Sequence, residues 1–321
     1  MSRLLVTGAS GLLGANLVLE ASAEHEVVAV SHRQRLAAPG VTTRQADLTV
    51  QDEARALIAE FAPEGIVHCA AATDIDRCED EPDLAFRLNR DMAANVAAAA
   101  FERRAAFLLV STDAVFDGEQ GDYVEDDDPT PLSVYGRSKL EGERAVAARH
   151  PQAIIVRTNI FGWNAQPKYG LAEWFLSRCE AGIRSPGWTD VRSTPILVND
   201  LAGILLRLLA SGGPGVYHVG GSSCLSKHEF GRRLAAEFDL DPELIVPASL
   251  ISAGLRAPRG RNLCLRGARA ERELGLPLPT IAQGIARFRR LRDLGTVDRL
   301  HSMLPDRAQS PWSAAQEEIP L

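Results

Sequence analysis

The sequence predicts an α/β fold, a doubly wound parallel sheet followed by a smaller C-terminal α/β region. Two observations carry this prediction: the first 160 residues alternate strand-like and helical segments, and the strand-like segments are almost continuously apolar. Strands of a sheet covered on both faces have this composition, whereas strands with one solvated face alternate apolar and polar residues. Right-handed connections between such strands place helices on both faces.

The predicted elements of the first 160 residues follow one another with short connections. Strands are expected at residues 3–7, 26–31, 65–70, 106–111 and 153–158. Helices are expected at residues 12–23, 50–61, 82–104 and 133–149. Asp52 and Glu53 suit the positive N-terminal end of the second helix, and the third helix is rich in alanine, the strongest helix former.

The pattern loosens after residue 158. Segments 162–170 and 182–194 are rich in Gly, Pro, Trp and Asn and are predicted to be loops. Helices are expected at 171–181, 198–210 and 227–238, with a strand at 215–219. Loops at the carboxyl ends of a parallel sheet are where a ligand is held. We therefore predict a main domain at residues 1–160, to which later segments return, a mainly substrate-binding region at 161–294, and a partly disordered tail at 295–321.

The composition is that of an ordinary globular protein, with 45% hydrophobic and 24% charged residues. A net charge of −7 argues against nucleic acid or an anionic membrane as the main partner. The chain starts in a predicted strand and no apolar run approaches the ~20 residues of a membrane span, so we expect neither a signal peptide nor a transmembrane helix. The five scattered cysteines predict reduced thiols in a cytoplasmic protein, with no disulfide and no zinc site.

A glycine-rich loop joins the first strand to the first helix. Its glycines are spaced G-x-x-G-x-x-G, at a point where a helix N-terminus can hold a pyrophosphate. The alternative is a plain strand-to-helix turn. The position after a buried N-terminal strand favours a dinucleotide site in a Rossmann-type domain. The expected cofactor contacts in this loop are Gly8, Ser10, Gly11, Leu12, Leu13 and Gly14.

The end of the second strand indicates which cofactor is preferred. An NAD site carries an acid there, but residues 31–35 contain none. Arg33 is expected to hold the 2′-phosphate of NADP, helped by His32 or Arg35, although a solvated loop arginine is the alternative. We therefore predict NADP(H) as the preferred cofactor and leave NAD(H) open. Further contacts are expected from Asp47 and Leu48 beside the adenine and from Ala70, Ala71 and Ala72 along the cofactor backbone.

Tyr135 and Lys139 lie one turn apart on one face of the predicted helix at 133–149. The chain has four tyrosines and three lysines, so a lysine in this position is informative. A fixed ammonium favours the phenolate and is expected to lower the pKa of the phenol. Thr112 follows the fourth strand and adds a hydroxyl at the same edge of the sheet.

These motifs together resemble the extended short-chain dehydrogenase/reductases over nearly the whole chain. The resemblance implies that Tyr135 is the general acid for a substrate carbonyl. It implies that Lys139 assists the tyrosine and holds the nicotinamide ribose, and that Thr112 hydrogen-bonds the carbonyl oxygen. Within the superfamily the chain most resembles the dTDP-4-dehydrorhamnose reductases, which implies NADPH-dependent reduction of a nucleotide-linked 4-keto-6-deoxy sugar. That closer resemblance lies in residues 71–76 with Glu79, 111–118, 131–140, Arg261 and Asn262.

One residue bears on the type of reaction. Dehydratases of this superfamily carry a glutamate where this chain has Ala114, so the resemblance favours simple reduction. A nucleotide-sugar 4-epimerase uses the same architecture and stays open. A regulatory subunit with little turnover, similar to the beta subunit of methionine adenosyltransferase, also stays open. A homodimer through the helices at 82–104 and 133–149 is implied by the resemblance alone.

The expected substrate contacts lie in the later strand ends and loops. Trp163 offers an aromatic face to a base or sugar, although packing inside the smaller region is the alternative. Arg192 and Arg261 are candidates for the diphosphate, with surface salt bridges as the alternative. The acidic run at 125–128 lacks the spacing of metal ligands, and no metal is expected. The substrate candidates are Thr112, Asp113, Asn159, Trp163, Arg192 and Arg261.

Overall fold

A seven-stranded parallel sheet forms the centre of the fold. The computed structural model describes residues 2–305, apart from the side chains of residues 252 and 253. Its strands are β1 Arg3–Thr7, β2 Glu26–Ser31, β3 Thr42–Gln45, β4 Gly65–His68, β5 Ala106–Val110, β6 Ile154–Arg157, β7 Ile160–Phe161, β8 Ser185–Trp188, β9 Arg192–Ser193, β10 Ile196–Leu197, β11 Gly215–His218, β12 Leu225–Ser226 and β13 Ile245–Ala248. The central order is β11-β6-β5-β4-β1-β2-β3, with every pair parallel. The predicted Rossmann-type fold class is confirmed.

Helices cover both faces of this sheet. They are α1 Leu12–Ala21, α2 Gln51–Phe61, α3 Ile75–Asp80, α4 Pro82–Phe86, α5 Met92–Glu102, α6 Val134–Arg149, α7 Leu171–Glu180, α8 Val198–Ser211, α9 Lys227–Glu237, α10 Ala268–Leu274, α11 Ile281–Asp293 and α12 Thr296–Ser302. Helices α1 and α8 pack on one face, and α2, α5 and α6 on the other. In β1, Leu4 and Val6 enter the first core and Leu5 the second, because successive strand residues point to opposite faces.

The second half of the chain adds three short strand pairs, β7 with β10, β8 with β13 and β9 with β12. Their apolar residues join the core on the α1 face, where Leu17 shares one cluster with Phe161, Phe230 and Phe288. Strand β11 lies after residue 160 yet belongs to the central sheet. The domain boundaries at residues 160 and 294 remain predictions.

Two local features differ from the predicted elements. Strand β3 is polar and largely exposed at the edge of the sheet, so it lacks the apolar run that revealed the other strands. The helix expected at 82–104 is divided into α4 and α5 by a π-helical turn, Arg87–Asp91.

The first part of the predicted tail, residues 295–305, packs against the core. Helix α12 lies in this part of the chain, and its Leu300 is completely buried in the core. The backbone N–H of Ala37 donates a hydrogen bond to the carbonyl oxygen of Met303 at 2.9 Å. Burial of Leu300 and Met303 offsets the entropy of ordering this segment. Residues 306–321 of the predicted tail lie outside the described residues.

The prediction that all cysteines are reduced thiols is wrong. Cys224 and Cys264 form a disulfide, with their Cα atoms 5.6 Å apart. The two residues are 40 positions apart in sequence, and pairing of Arg192 with Asn262 brings their segments together. A spacing rule cannot find a pair that only tertiary structure creates.

We expect the double change Cys224→Ser, Cys264→Ser to lower the free energy of unfolding by about 4 kcal/mol, the loop-closure value for a loop of this length. Urea unfolding with and without dithiothreitol measures it. Reductant should destabilise the wild type and leave the double variant unchanged. Five reactive thiols in the denatured, unreduced wild type, in place of three, would contradict the pairing.

Candidate active site

The predicted site residues lie along the carboxyl edge of the parallel sheet. Gly8 follows β1, Ala70 follows β4, Thr112 follows β5 and Asn159 follows β6. Ligands of an open parallel sheet bind outside this edge, where the strand order reverses, and here the reversal lies between β1 and β4. The residues that follow four separate strands therefore lie together at this edge of the sheet.

Backbone packing requires two of the three glycines in the loop. Gly8 has a φ of +65°, and a Cβ on it would lie 2.6 Å from the Ala70 nitrogen. A Cβ on Gly14 would collide with the carbonyl oxygen of Gly8. On Gly11 a Cβ would meet that same oxygen at 3.2 Å and nothing else within 4 Å. Since packing demands less at Gly11, its glycine serves mainly to leave the backbone uncovered for a close-lying ligand.

The N-terminus of α1 suits an anionic group. Gly11 caps the helix without a side-chain hydrogen bond, and the first turn contains no acid. The first N–H groups of a helix have no partner within it and carry its positive dipole end. The side chain of Leu13 is buried in the core, so Leu13 can offer only its backbone. The loop from Gly8 to Gly14 therefore fits a dinucleotide pyrophosphate.

The segment after β2 is braced by hydrogen bonds that do not involve the Arg33 guanidinium. Ser31 Oγ donates to the carbonyl oxygen of Gln34 at 2.6 Å, and Gln45 Nε2 donates to that of Arg33 at 2.9 Å. Arg33 is exposed, and its guanidinium makes no hydrogen bond or ion pair with the rest of residues 2–305. His32 lies 3.8 Å from Asp47. A loop held by hydrogen bonds, with an Arg33 guanidinium that is available for a ligand, fits a 2′-phosphate.

We expect Arg33→Ala to raise the Kd for NADPH by about 10- to 100-fold, the value of a charge-assisted hydrogen bond, and to change the Kd for NADH little. Fluorescence titration with both cofactors measures this. Arg55→Ala, on α2 in a surface ion pair with Glu102, is the control and should affect neither cofactor. An equal rise in the Kd for NADPH and for NADH would show that Arg33 does not bind the 2′-phosphate.

The residues expected beside the adenine have structural roles. Leu48 is 5% exposed and its side chain packs in the core, so the contact with the adenine that stays predicted for it would come from its backbone. Asp47 accepts hydrogen bonds from the N–H and Oγ1 of Thr49, at 3.0 and 2.7 Å. The Thr49 hydrogen bond holds the pKa of Asp47 below its usual value. Asp47 remains exposed enough to face a ligand.

Asn89 fixes the small residues after β4. It accepts a hydrogen bond from the Ala72 N–H at 2.8 Å and donates Nδ2 to the Ala72 carbonyl at 3.0 Å and to Ser138 Oγ at 2.9 Å. This buried amide lies in the π-helical turn and joins the 70–72 segment to α6. Sequence reasoning missed it, although an asparagine inside an alanine-rich predicted helix was an available signal.

Helix α6 brings Tyr135 and Lys139 to Thr112. Ser133 caps the helix by accepting from the Gly136 N–H at 3.1 Å. Lys139 Nζ donates to the carbonyl oxygen of Val110, the last residue of β5, at 2.7 Å. The Thr112 hydroxyl lies close enough to the Tyr135 phenol to favour its ionised form. The three residues predicted to be catalytic therefore form one group.

The predicted fall in the tyrosine pKa is not found. Burial raises the pKa of Tyr135 to about 12, and the nearby Thr112 hydroxyl opposes this only in part. Burial also lowers the pKa of Lys139 to about 8, against the attraction of Glu143. Desolvation is the largest cause for both groups, and the charges that act on the Tyr135 phenol are those of Asp113 and Cys78, which raise its pKa further. Tyr135 is thus a neutral phenol at pH 7, the form that can donate a proton to an alkoxide.

A buried ion pair lies behind Lys139. Glu143, one turn further along α6, pairs with Arg157 of β6 at 2.8 Å, and both side chains are 5% exposed. Ser111 Oγ donates a further hydrogen bond to Glu143. The carboxylate thereby links α6, β5 and β6 beneath the catalytic group. Sequence reasoning missed this pair because neither residue belongs to a local motif.

Asp113 lies beside the catalytic hydroxyls. It is 3% exposed, accepts from Asn159 Nδ2 at 2.8 Å and accepts from Thr112 Oγ1 at 3.2 Å. Burial raises the pKa of Asp113 to about 6, while the hydrogen bonds from Asn159 and Thr112 act in the opposite direction. Asp113 and Asn159 are thus brought to the reacting group as predicted candidates, and the site carries a carboxylate at neutral pH.

The prediction that Trp163 contacts substrate is wrong. Trp163 is 8% exposed, donates Nε1 to the carbonyl oxygen of Phe288 at 2.9 Å and stacks on the Phe288 ring at 4.0 Å. Burial of the Trp163 ring in the core stabilises the fold more than a position at the loop surface would.

Arg192 and Arg261, by contrast, lie side by side, with the Arg192 N–H donating to the Arg261 carbonyl. The Arg192 guanidinium donates to the Cys224 carbonyl at 3.2 Å and lies 3.8 Å from Glu229, so the alternative of a surface salt bridge is found for it. Binding of a diphosphate by the two guanidiniums stays a prediction.

The amino-acid sequence matches the RmlD substrate binding domain family over residues 2–292. The chain belongs to the RmlD family. This span includes the glycine loop, the catalytic group and the paired arginines. The predicted membership in the extended short-chain dehydrogenase/reductases, with likeness to the RmlD-type reductases, is confirmed.

Relatives of this RmlD-family chain are named either as reductases or as a subunit of methionine adenosyltransferase. The probable low-salt glycan biosynthesis reductase Agl14 of Haloferax volcanii is 34% identical, covering 88% of this chain and 95% of its own. The dTDP-4-dehydrorhamnose reductase of Mycolicibacterium smegmatis is 31% identical, covering 84% and 79%. Methionine adenosyltransferase 2 subunit beta of Danio rerio is also 31% identical, covering 84% of both chains.

Solved structures of the family share the fold. The dTDP-4-dehydrorhamnose reductase of Bacillus anthracis in complex with NADP has a TM-score of 0.80 at 28% identity. The alignment covers 90% of this chain and 99% of that one. In the RmlD-family chain itself, no helix within residues 2–305 combines the length and apolarity needed to cross a bilayer. Across the same residues, no three His, Cys, Asp or Glu side chains converge as metal ligands.

Proposed function

We propose that this RmlD-family protein is an NADPH-dependent oxidoreductase that reduces a nucleotide-linked 4-keto-6-deoxy sugar. The observation that carries the proposal is the grouping of Thr112, Tyr135 and Lys139 beside a glycine loop that fits a pyrophosphate. The reductase class is also the class named for the relatives from Haloferax volcanii and Mycolicibacterium smegmatis.

Each member of the catalytic group has a role in carbonyl reduction. The Thr112 hydroxyl, which donates to Asp113 in this structure, turns to donate to the carbonyl oxygen once substrate is bound. The neutral phenol of Tyr135 protonates that oxygen as it becomes an alkoxide. The Lys139 ammonium stabilises the tyrosinate left behind and holds the nicotinamide ribose hydroxyls. NADPH, when bound, supplies the hydride.

The cofactor proposal is NADP(H), with NAD(H) as the weaker alternative. The acid-free loop at 31–35 and the uncommitted Arg33 support it. The Bacillus anthracis relative in complex with NADP gives independent support. No residue of the loop offers the carboxylate that the ribose hydroxyls of NAD require.

The substrate proposal assigns different groups to the two ends of the molecule. Asp113 and Asn159, beside Thr112, face the sugar around its carbonyl. Arg192 and Arg261 hold the diphosphate, because planar guanidiniums suit phosphate oxygens. Ala114, where a dehydratase carries a second carboxylate, favours reduction over elimination. A 4-epimerase remains an alternative because it uses the same group of residues.

The test is NADPH oxidation at 340 nm with a panel of nucleotide-linked 4-keto-6-deoxy sugars that includes dTDP-4-dehydrorhamnose. We expect turnover of at least one of them and a product reduced at C4. Tight NADPH binding without turnover of any panel member would refute the reductase. That outcome would favour a regulatory subunit, the class named for the Danio rerio relative.

Assembly and location are further parts of the proposal. We propose a homodimer through α5 and α6, where Phe101 at the end of α5 is 51% exposed, and no nucleic acid or membrane partner. We keep the cytoplasm as the proposed location, although the Cys224–Cys264 disulfide is of a kind rare there. Sedimentation tests the homodimer. Thiol counting in cell extracts tests whether the Cys224–Cys264 disulfide persists in the proposed location.

A further inference from the structure

Lys227 is a lysine that the proposed mechanism does not yet use. It is the first residue of α9, directly after β12, and its backbone N–H donates to the Val191 carbonyl at 3.0 Å. Its ammonium lies 4.5 Å from the centre of the Trp188 ring, which is 3% exposed. The Lys227 residue as a whole is half-buried.

The charges around Lys227 connect it to the catalytic group. Asp113 and Arg259 are the charged residues whose fields act on the ammonium. Arg259 also forms an ion pair with Asp76 at 3.0 Å, and Asp113 is the carboxylate whose field favours the charged form of Lys227. Asp113 also acts on Tyr135 and is hydrogen-bonded by Thr112. The field of the Asp113 carboxylate therefore acts on both Lys227 and Tyr135.

A stabilising role explains this placement poorly. A cation in the first turn of a helix opposes the helix dipole, whose N-terminal end is positive. Burial and the nearby Arg259 lower the pKa of Lys227 to about 8, which shows that its charge is held at a cost. Charged groups kept in unfavourable positions beside a catalytic group are typical of ligand binding.

We propose that Lys227 is a further substrate-binding residue, whose ammonium donates a hydrogen bond to a hydroxyl group next to the reacting carbonyl while Asp113 accepts one from the same part of the sugar. This inference rests on the proposed function and narrows its substrate to an α-hydroxy ketone. A donor beside an acceptor matches hydroxyl groups, which do both. A phosphate fits less well, because the Asp113 carboxylate would repel it.

The experiment compares Lys227→Met with wild type on dTDP-4-dehydrorhamnose and on its 3-deoxy analogue, which lacks the hydroxyl beside the carbonyl. Methionine keeps the apolar stem over Trp188 and removes the charge. We expect kcat/KM to fall about 10- to 100-fold on the hydroxylated substrate and less than about 3-fold on the analogue. Lys227→Arg should recover part of the loss. Lys168→Met, at an exposed lysine, is the control.

The outcomes separate this inference from the proposed function. Absence of wild-type turnover on the whole panel rejects the reductase and the role of Lys227 in it. Wild-type turnover with an equal loss on both substrates, or no loss, overturns the Lys227 assignment alone. A structural role would lower the Tm of Lys227→Met, whereas we expect an unchanged or higher Tm because a cation leaves a helix N-terminus.

Discussion

Replacing Tyr135 with phenylalanine is expected to lower kcat by ~10²-fold or more while the Kd for NADPH stays within about 2-fold of wild type. The change removes one oxygen, the proton donor, and leaves the ring that packs beside Cys78 and Val134. Because burial keeps the phenol neutral at pH 7, the lost group is the acid that the alkoxide requires. Steady-state kinetics and cofactor titration measure the two effects separately.

Tyr169→Phe is the matched control for this experiment. Tyr169 is 40% exposed and lies outside the catalytic group, so its hydroxyl should contribute nothing to turnover. An unchanged kcat in Tyr135→Phe would remove the tyrosine from the mechanism. A parallel loss of NADPH affinity would instead assign the hydroxyl to cofactor binding.

Glu143→Ala is expected to lower the free energy of unfolding by about 3–5 kcal/mol. The substitution leaves the Arg157 guanidinium buried without its counter-ion, and it removes the acceptor of Ser111 Oγ. It also takes away the carboxylate that favours the charged form of Lys139. Urea unfolding followed by circular dichroism gives the stability.

Glu141→Ala provides the comparison on the same helix. Glu141 pairs with Arg144, but both side chains are well exposed, at 40% and 62%. Water screens such a pair, so we expect a loss below ~0.5 kcal/mol. Similar losses for the two variants would mean that the buried pair contributes no more than a surface one.

The parts of the site that sequence predicts well are those in which neighbours in sequence are neighbours in space. To predict the glycine loop, it is enough to recognise a strand, a turn and the start of a helix in consecutive residues. The Tyr135–Lys139 pair needs only the period of a helix. Residue spacing predicts the Tyr135–Lys139 pair, spacing together with the position after the first strand predicts the glycine loop, and composition predicts the apolar strands.

The parts that sequence did not predict depend on which segments meet. Trp163 was expected at a loop surface, but it faces Phe288, more than 100 positions away. Glu143 meets Arg157, and Cys224 meets Cys264, through tertiary packing. The Tyr135 pKa was predicted from its charged neighbour alone, whereas the depth of burial determines its direction.

The Cys224–Cys264 bond has a consequence for the integrity of the chain. Between the two cysteines lie Lys227, Arg259 and Arg261, and also Ile251, which is 75% exposed. A protease that cut the backbone beside Ile251 would therefore yield two fragments still held by the disulfide. Both halves of the proposed substrate site would stay attached to one molecule, and the nick would become visible as smaller bands only on a reducing gel.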